Sequence, residues 1–165
     1  MGRAVALRQL TDRVDAPDVA EDTGPLRHVR TLGRVTLGLF LANAGVGHLT
    51  FAREEFQAQV PEWVPLGKDA VVVASGVVEV LLGLALLFTP RRHRPLVGWV
   101  AAAFFVAIFP GNISQLVTRT DAFGLNSDTA RAVRLLFQPV LVAWALWSTG
   151  AWRTFRGPSA RPGAW

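Results

Sequence analysis

The sequence predicts an all-α integral membrane protein, an antiparallel four-helix bundle with both termini in the cytoplasm, and three observations carry that prediction. Hydrophobic residues make up 51% of the 165-residue chain and charged residues 18%, where a soluble domain carries about a quarter charged. Most of the charges fall outside four apolar runs, at about 32–51, 69–88, 96–117 and 131–149. Each run is long enough, at about 1.5 Å per residue, to cross a hydrocarbon core of about 30 Å. Finally, the basic residues are shared unevenly among the links between runs.

Residues 1–30 mix five acids (Asp12, Asp15, Asp18, Glu21, Asp22) with arginines and few large apolar groups, which predicts a solvated tail or a frayed surface helix. The first span, "TLGRVTLGLFLANAGVGHLTF", starts too deep in the chain and lacks the small-residue cleavage site of a signal peptide, so it is read as retained. Gly38, Ala42 and Gly45 suit close helix packing there. The link "AREEFQAQVPEWVPLGK" predicts a short amphipathic piece and a kinked aromatic turn at the outer interface, serving as an anchor or as a lid over a cavity in the bundle.

The second span, "DAVVVASGVVEVLLGLALLF", places Glu79 near the bilayer midplane, where an ionised acid costs about 2.5–3.5 kcal/mol unless paired or protonated. Ser75, Glu79 and Gly83 recur every four residues beside Gly76, giving one small, polar helix face. The short link "TPRRHRP" makes spans two and three antiparallel neighbours. In span three, Pro110 of "FPGN" frees the Val106 carbonyl, and Asn112 and Gln115 can bond locally or across helices. Span four carries Arg134, Gln138 and Pro139. Residues 31–150 therefore form the membrane domain and 151–165 a disordered tail ending "GPSARPGAW".

Of the basic residues, six lie at or before Arg34, three in the "PRRHRP" link and three after Trp152, while the other two links hold only Arg53, Lys68, Arg119 and Arg131. The positive-inside bias then orients both termini and the middle link toward the cytoplasm. The net charge of +5 is thus read as topogenic and lipid-facing, with no nucleic acid as partner. A multi-pass location in the cell's inner (plasma) membrane is expected.

With this topology His48, Asn112, Gln115, Arg134 and Gln138 share the outer half of the membrane, and Glu79 approaches the same layer from below. The sequence predicts one polar cluster there, with Arg134 as the partner of Glu79. Two readings stay open: the cluster sets helix register, or it holds a ligand or partner. His48 alone is an interfacial hydrogen-bonding residue or a ligand. Pro110 and Pro139 read as kinks.

In order and spacing, "GHLTF", "VPEWVP", "SGVVEVLLGLALL", "PRRHRP", "AIFPGN" and "RLLFQPVLVAWAL" resemble the DoxX family of small four-span bacterial membrane proteins, from about Gly45 to Trp147. Gly111 departs from the pattern, where alanine is expected, with little chemical consequence foreseen. The resemblance implies a four-helix membrane fold and an accessory subunit in quinone-linked respiratory or oxidative-stress redox complexes. More distant relatives resemble assembly chaperones for membrane proteins.

No complete catalytic constellation is present, so the chain is not read as an enzyme on its own. Cysteine is absent, which removes disulfide, thiolate-metal and iron–sulfur chemistry from this chain. Only His48 could ligate haem within a span, so no haem is predicted; no metal motif appears. A quinone is the cofactor the residues could hold. His48, Asn112, Arg134 and Gln138 would serve its carbonyls, Phe51, Phe104, Phe105 or Phe109 would wall it, and Glu79 would carry a proton. The alternatives are a non-redox assembly factor docking through its small-residue faces, and a small-molecule or proton pathway. Protein partners in a membrane complex are expected, and a homo-oligomer stays open.

Overall fold

The computed structural model describes residues 25–122, 124 and 127–155; of the tails predicted at 1–30 and 151–165, residues 1–24 and 156–165 lie outside them. All regular structure among the described residues is helical. Four long helices, α1 (Pro25–Leu49), α3 (Lys68–Phe88), α4 (Arg94–Thr118) and α5 (Asp128–Thr149), are joined by a short helix α2 (Arg53–Gln57) and a 3-10 turn at Arg91–His93; a second 3-10 turn, Ala151–Phe155, follows α5.

Local chemistry sets the ends. Pro25 opens α1 where its missing N–H costs nothing. Helix α3 stops at Phe88 because Thr89, preceding Pro90, is extended. Ser127 caps α5 by accepting the Ala130 N–H at 3.2 Å, and Gly150, with φ 82°, closes it in the left-handed region. Two boundaries differ from expectation: α1 begins within the supposed tail, and residues 151–155 continue as a helical turn.

Three of the four expected spans, Lys68–Phe88, Arg91–Thr118 and Asp128–Thr149, are long and apolar enough to cross a membrane. Helix α1 is long enough at 25 residues, but Arg34, Asn43, His48 and its glycines dilute its apolar run.

Helix α1 packs most extensively on α3 and α4 on α5, with α1–α5 and α3–α4 contacts joining the two antiparallel pairs. The α1–α3 seam is made of glycine. A Cβ on Gly45 would lie 2.6 Å from the Gly76 carbonyl oxygen, and one on Gly83 2.7 Å from the Ala42 nitrogen. The small face predicted around Ser75, Gly76 and Gly83 thus meets Gly38, Ala42 and Gly45 inside the chain. It is not available for docking another protein.

The apolar core, Leu37, Leu41, Leu82, Leu86, Ala101, Ala102, Phe105, Ala145 and Leu146, occupies the lower half, where α1 starts and α3 and α5 end. Arginines of α1 tie that end together. Arg34, buried, donates to the Leu86 and Leu87 carbonyls of α3, and Arg30 donates through Nε and Nη2 to the Trp147 carbonyl of α5 at 3.0 Å. Cations thereby sit on the partial negative charge of two helix C-termini. Sequence reading had counted both arginines only as orienting charges.

Candidate functional site

Of the buried polar side chains, His48, Glu79, Asn112, Gln115, Arg131 and Gln138 lie in the upper half. Arg131 pairs with Asp121 and Asp128 at the start of α5, and among the expected site residues two separate pairs form where one cluster was expected. The first is His48 with Glu79. The seam of Gly45 and Gly76 draws α1 onto α3, so the His48 and Glu79 side chains, 8% and 6% exposed, meet with Nδ1 2.7 Å from Oε2. The approach lacks the alignment of a directed hydrogen bond, and no other described group bonds either atom. As an ion pair or as two neutral groups, the pair presents no net charge to the interior, which removes most of the cost of an acid at this depth. His48 also lies in the last turn of α1, where a cation is favoured.

The expected Glu79–Arg134 pair is not formed. Arg134 is half-buried on α5, and α3 and α5 share no extensive contact, whereas glycines bring His48 within ion-pair distance. The link following α1 covers the pair: the Phe56 ring of α2 stands edge-on to His48 with centroids 3.4 Å apart. Arg53 donates to Asp69 through Nε at 2.6 Å and Gln57 donates to the same oxygen at 3.2 Å, fastening α2 to the start of α3. The Asp69 hydrogen bond raises the Arg53 guanidinium above its ordinary value. Trp63, farther along the same link, is largely exposed.

The second pair lies on α4 and α5. Asn112 donates through Nδ2 to Gln138 Oε1 at 3.0 Å, and Gln138 Nε2 donates to the Phe105 carbonyl, one residue before the Val106 carbonyl that Pro110 was expected to free. Both amides are buried. Gln115 turns away from this pair and donates to the Thr120 carbonyl at 3.3 Å, closing α4. Replacing Gln138 by leucine leaves the Asn112 donor without its acceptor. The expected loss is about 1–2 kcal/mol of stability, largely recovered when Asn112 is also made leucine, and equilibrium unfolding in detergent measures both.

Gly111 acquires a reason here. A Cβ at this position would stand 2.7 Å from the Gln59 carbonyl oxygen, so the link passes directly over α4 and excludes the alanine of the DoxX pattern. Beside Gln138, an apolar groove of about 430 Å³ opens between α4 and α5, lined by Val106, Phe109, Gln138, Pro139, Ala143 and Trp152 among others. It includes two of the residues proposed for a quinone slot, Phe109 and Gln138. Phe105 is instead buried in the core and Phe51 is exposed, so neither walls this groove.

The arrangement can hold a proton at His48–Glu79 and an apolar ring or chain at the α4–α5 groove; the two sites lie on different helix pairs. No curated protein and no solved structure matches the chain. A family model described as a domain of unknown function (DUF8561) matches residues 37–149, from the Leu37 of the core to the end of α5 and across both polar pairs. The chain therefore belongs to the DUF8561 family.

Proposed function

We propose that this protein is a four-helix membrane bundle of DoxX type, with α1 as its fourth span and both termini cytoplasmic, that acts as an accessory subunit of a bacterial redox or oxidative-stress complex. It binds a quinone-type ligand in the α4–α5 groove and is not itself an electron carrier. The observation that carries this reading is the groove: about 430 Å³, lined almost wholly by apolar side chains beside the Gln138 amide. One Gln138 N–H remains beyond its bond to Phe105, and it suits a quinone carbonyl; Phe109 and Trp152 supply flat walls. The motif order quoted for the DoxX resemblance supports the redox setting. The absence of cysteine assigns electron transfer to a partner, so this chain's own part is to bind and orient the ring.

His48–Glu79 stands apart from the groove and is assigned to holding α1 on α3 and storing a proton between them. Among the alternatives, an assembly factor docking through the glycine faces loses its surface, since those faces pack on each other.

Ala143 lines the groove without sharing in the buried bonds, which makes Ala143→Leu the informative variant. Added ubiquinone or menaquinone is expected to raise the thermal midpoint of the wild-type protein in detergent, and quinone should be found in lipid extracts of protein purified from native membranes. The variant should fold with an unchanged midpoint and lose at least about 1.4 kcal/mol of quinone binding, tenfold in affinity. A wild-type protein that carries no quinone and is not stabilised by it ends the proposal.

A further inference from the structure

Among the described residues the charge at the lower end of the helices is of one sign. Among the described residues every carboxylate other than Glu79 (Glu54, Glu55, Glu62, Asp69, Asp121 and Asp128) lies at the upper end, on α2, in the links or in the first turns of α3 and α5. The lower end carries Arg27, Arg34 and Arg94. Arg34 and Arg94 converge on the last turn of α3: Arg34 donates to Leu86 and Leu87, and Arg94 donates through Nε to the Thr89 carbonyl at 3.2 Å. Arg94 is partly withdrawn from water and, to a lesser degree, lies in the field of Arg34 and Arg27. Arg34 is 4% exposed and its Nε has no partner. Two arginines that converge on one helix end, one of them buried with a donor unused among the described residues, with Arg27 exposed on the same end of α1, form a site short of an anion.

We infer that Arg27 and Arg94, backed by the buried charge of Arg34, bind the phosphate of an anionic phospholipid of the cytoplasmic leaflet. Neutral lipid does not answer the charge. Both groups present guanidinium N–H donors suited to phosphate oxygens, with Arg27 exposed and Arg94 half-buried. Apolar side chains stand beside them for the acyl chains: Leu26 and Val29 on α1 and Leu96 on α4 are all exposed. The placement matches what a helix terminus at a negatively charged leaflet requires. The inference rests on the membrane reading and is independent of the quinone.

The test uses the full chain purified in detergent with equal amounts of phosphatidylglycerol and phosphatidylcholine, the retained lipid being counted by mass spectrometry. Wild-type protein should retain phosphatidylglycerol preferentially. Arg27→Gln and Arg94→Gln should each lower the preference roughly 5-fold, and together about 30-fold. Arg27 sits exposed on the first turn of α1, so its variant keeps the test valid if Arg94→Gln fails to fold. Arg119→Gln, which removes the same charge at the upper end, should change nothing. Equal retention of both lipids by the wild-type chain, or an equal loss in Arg119→Gln, overturns the inference. Inorganic phosphate that displaces the lipid at constant ionic strength would assign the site to a soluble anion, which also overturns it.

Discussion

Removing His48 is expected to be among the most damaging single changes in this protein, with His48→Ala losing about 3–5 kcal/mol of stability. The side chain is small and its packing is a minor part of that loss. The larger part is the Glu79 carboxyl, which at 6% exposure would lose the one ionic partner that the described residues give it, deep between α1 and α3. Glu79→Gln should cost less, because a neutral amide in the same space needs a bond and not a countercharge. Replacing both residues by leucine should come close to wild-type stability or exceed it, since the desolvation of both groups disappears together. Equilibrium unfolding of the three variants gives the coupling energy directly. A loss below about 1 kcal/mol for His48→Ala would mean that the carboxyl finds another partner or takes up a proton at little cost.

The second large effect is expected from Gly45→Ala, and its sign is the informative part. On an open helix, alanine in place of glycine stabilises by about 0.8–1.0 kcal/mol. At Gly45 the new Cβ would lie 2.6 Å from a backbone oxygen of α3 and 2.8 Å from Val80, and a backbone oxygen cannot swing aside. The two helices must separate, loosening contacts along the whole seam and drawing His48 away from Glu79. The clash is worth about 1–3 kcal/mol or more, which exceeds the propensity gain, so a net loss is expected. Gly67→Ala is the matching control: nothing lies within 4 Å of its added Cβ and its φ is −57°, so it should be neutral. Equal outcomes at the two positions would show that the seam is looser than described.

These two experiments probe a feature that sequence reading reached in part. The glycines at 38, 45, 76 and 83 mark faces that pack closely, because nothing else explains so many small residues in runs otherwise made of valine and leucine. Which faces meet was not legible. The same glycines served equally well as a docking surface for another protein, and only the positions of α1 and α3 show them facing each other. Asn112 and Gln138 were expected in one layer and do bond. Gln115 was expected nearby and instead closes its own helix, a local alternative that a long amide always has.

By itself the sequence determined the helices and the depth of their polar residues. Long apolar runs must satisfy their backbone groups internally, and the rise per residue converts a position in a run into a height. Height was enough to place His48, Glu79, Asn112 and Gln138 in the same half of the molecule. It was not enough to choose partners, because several helices cross any one height and an acid will accept whichever cation is nearest. Tertiary structure made that choice: glycine lets α1 and α3 approach more closely than helices with larger side chains can, so Glu79 meets His48 and not Arg134.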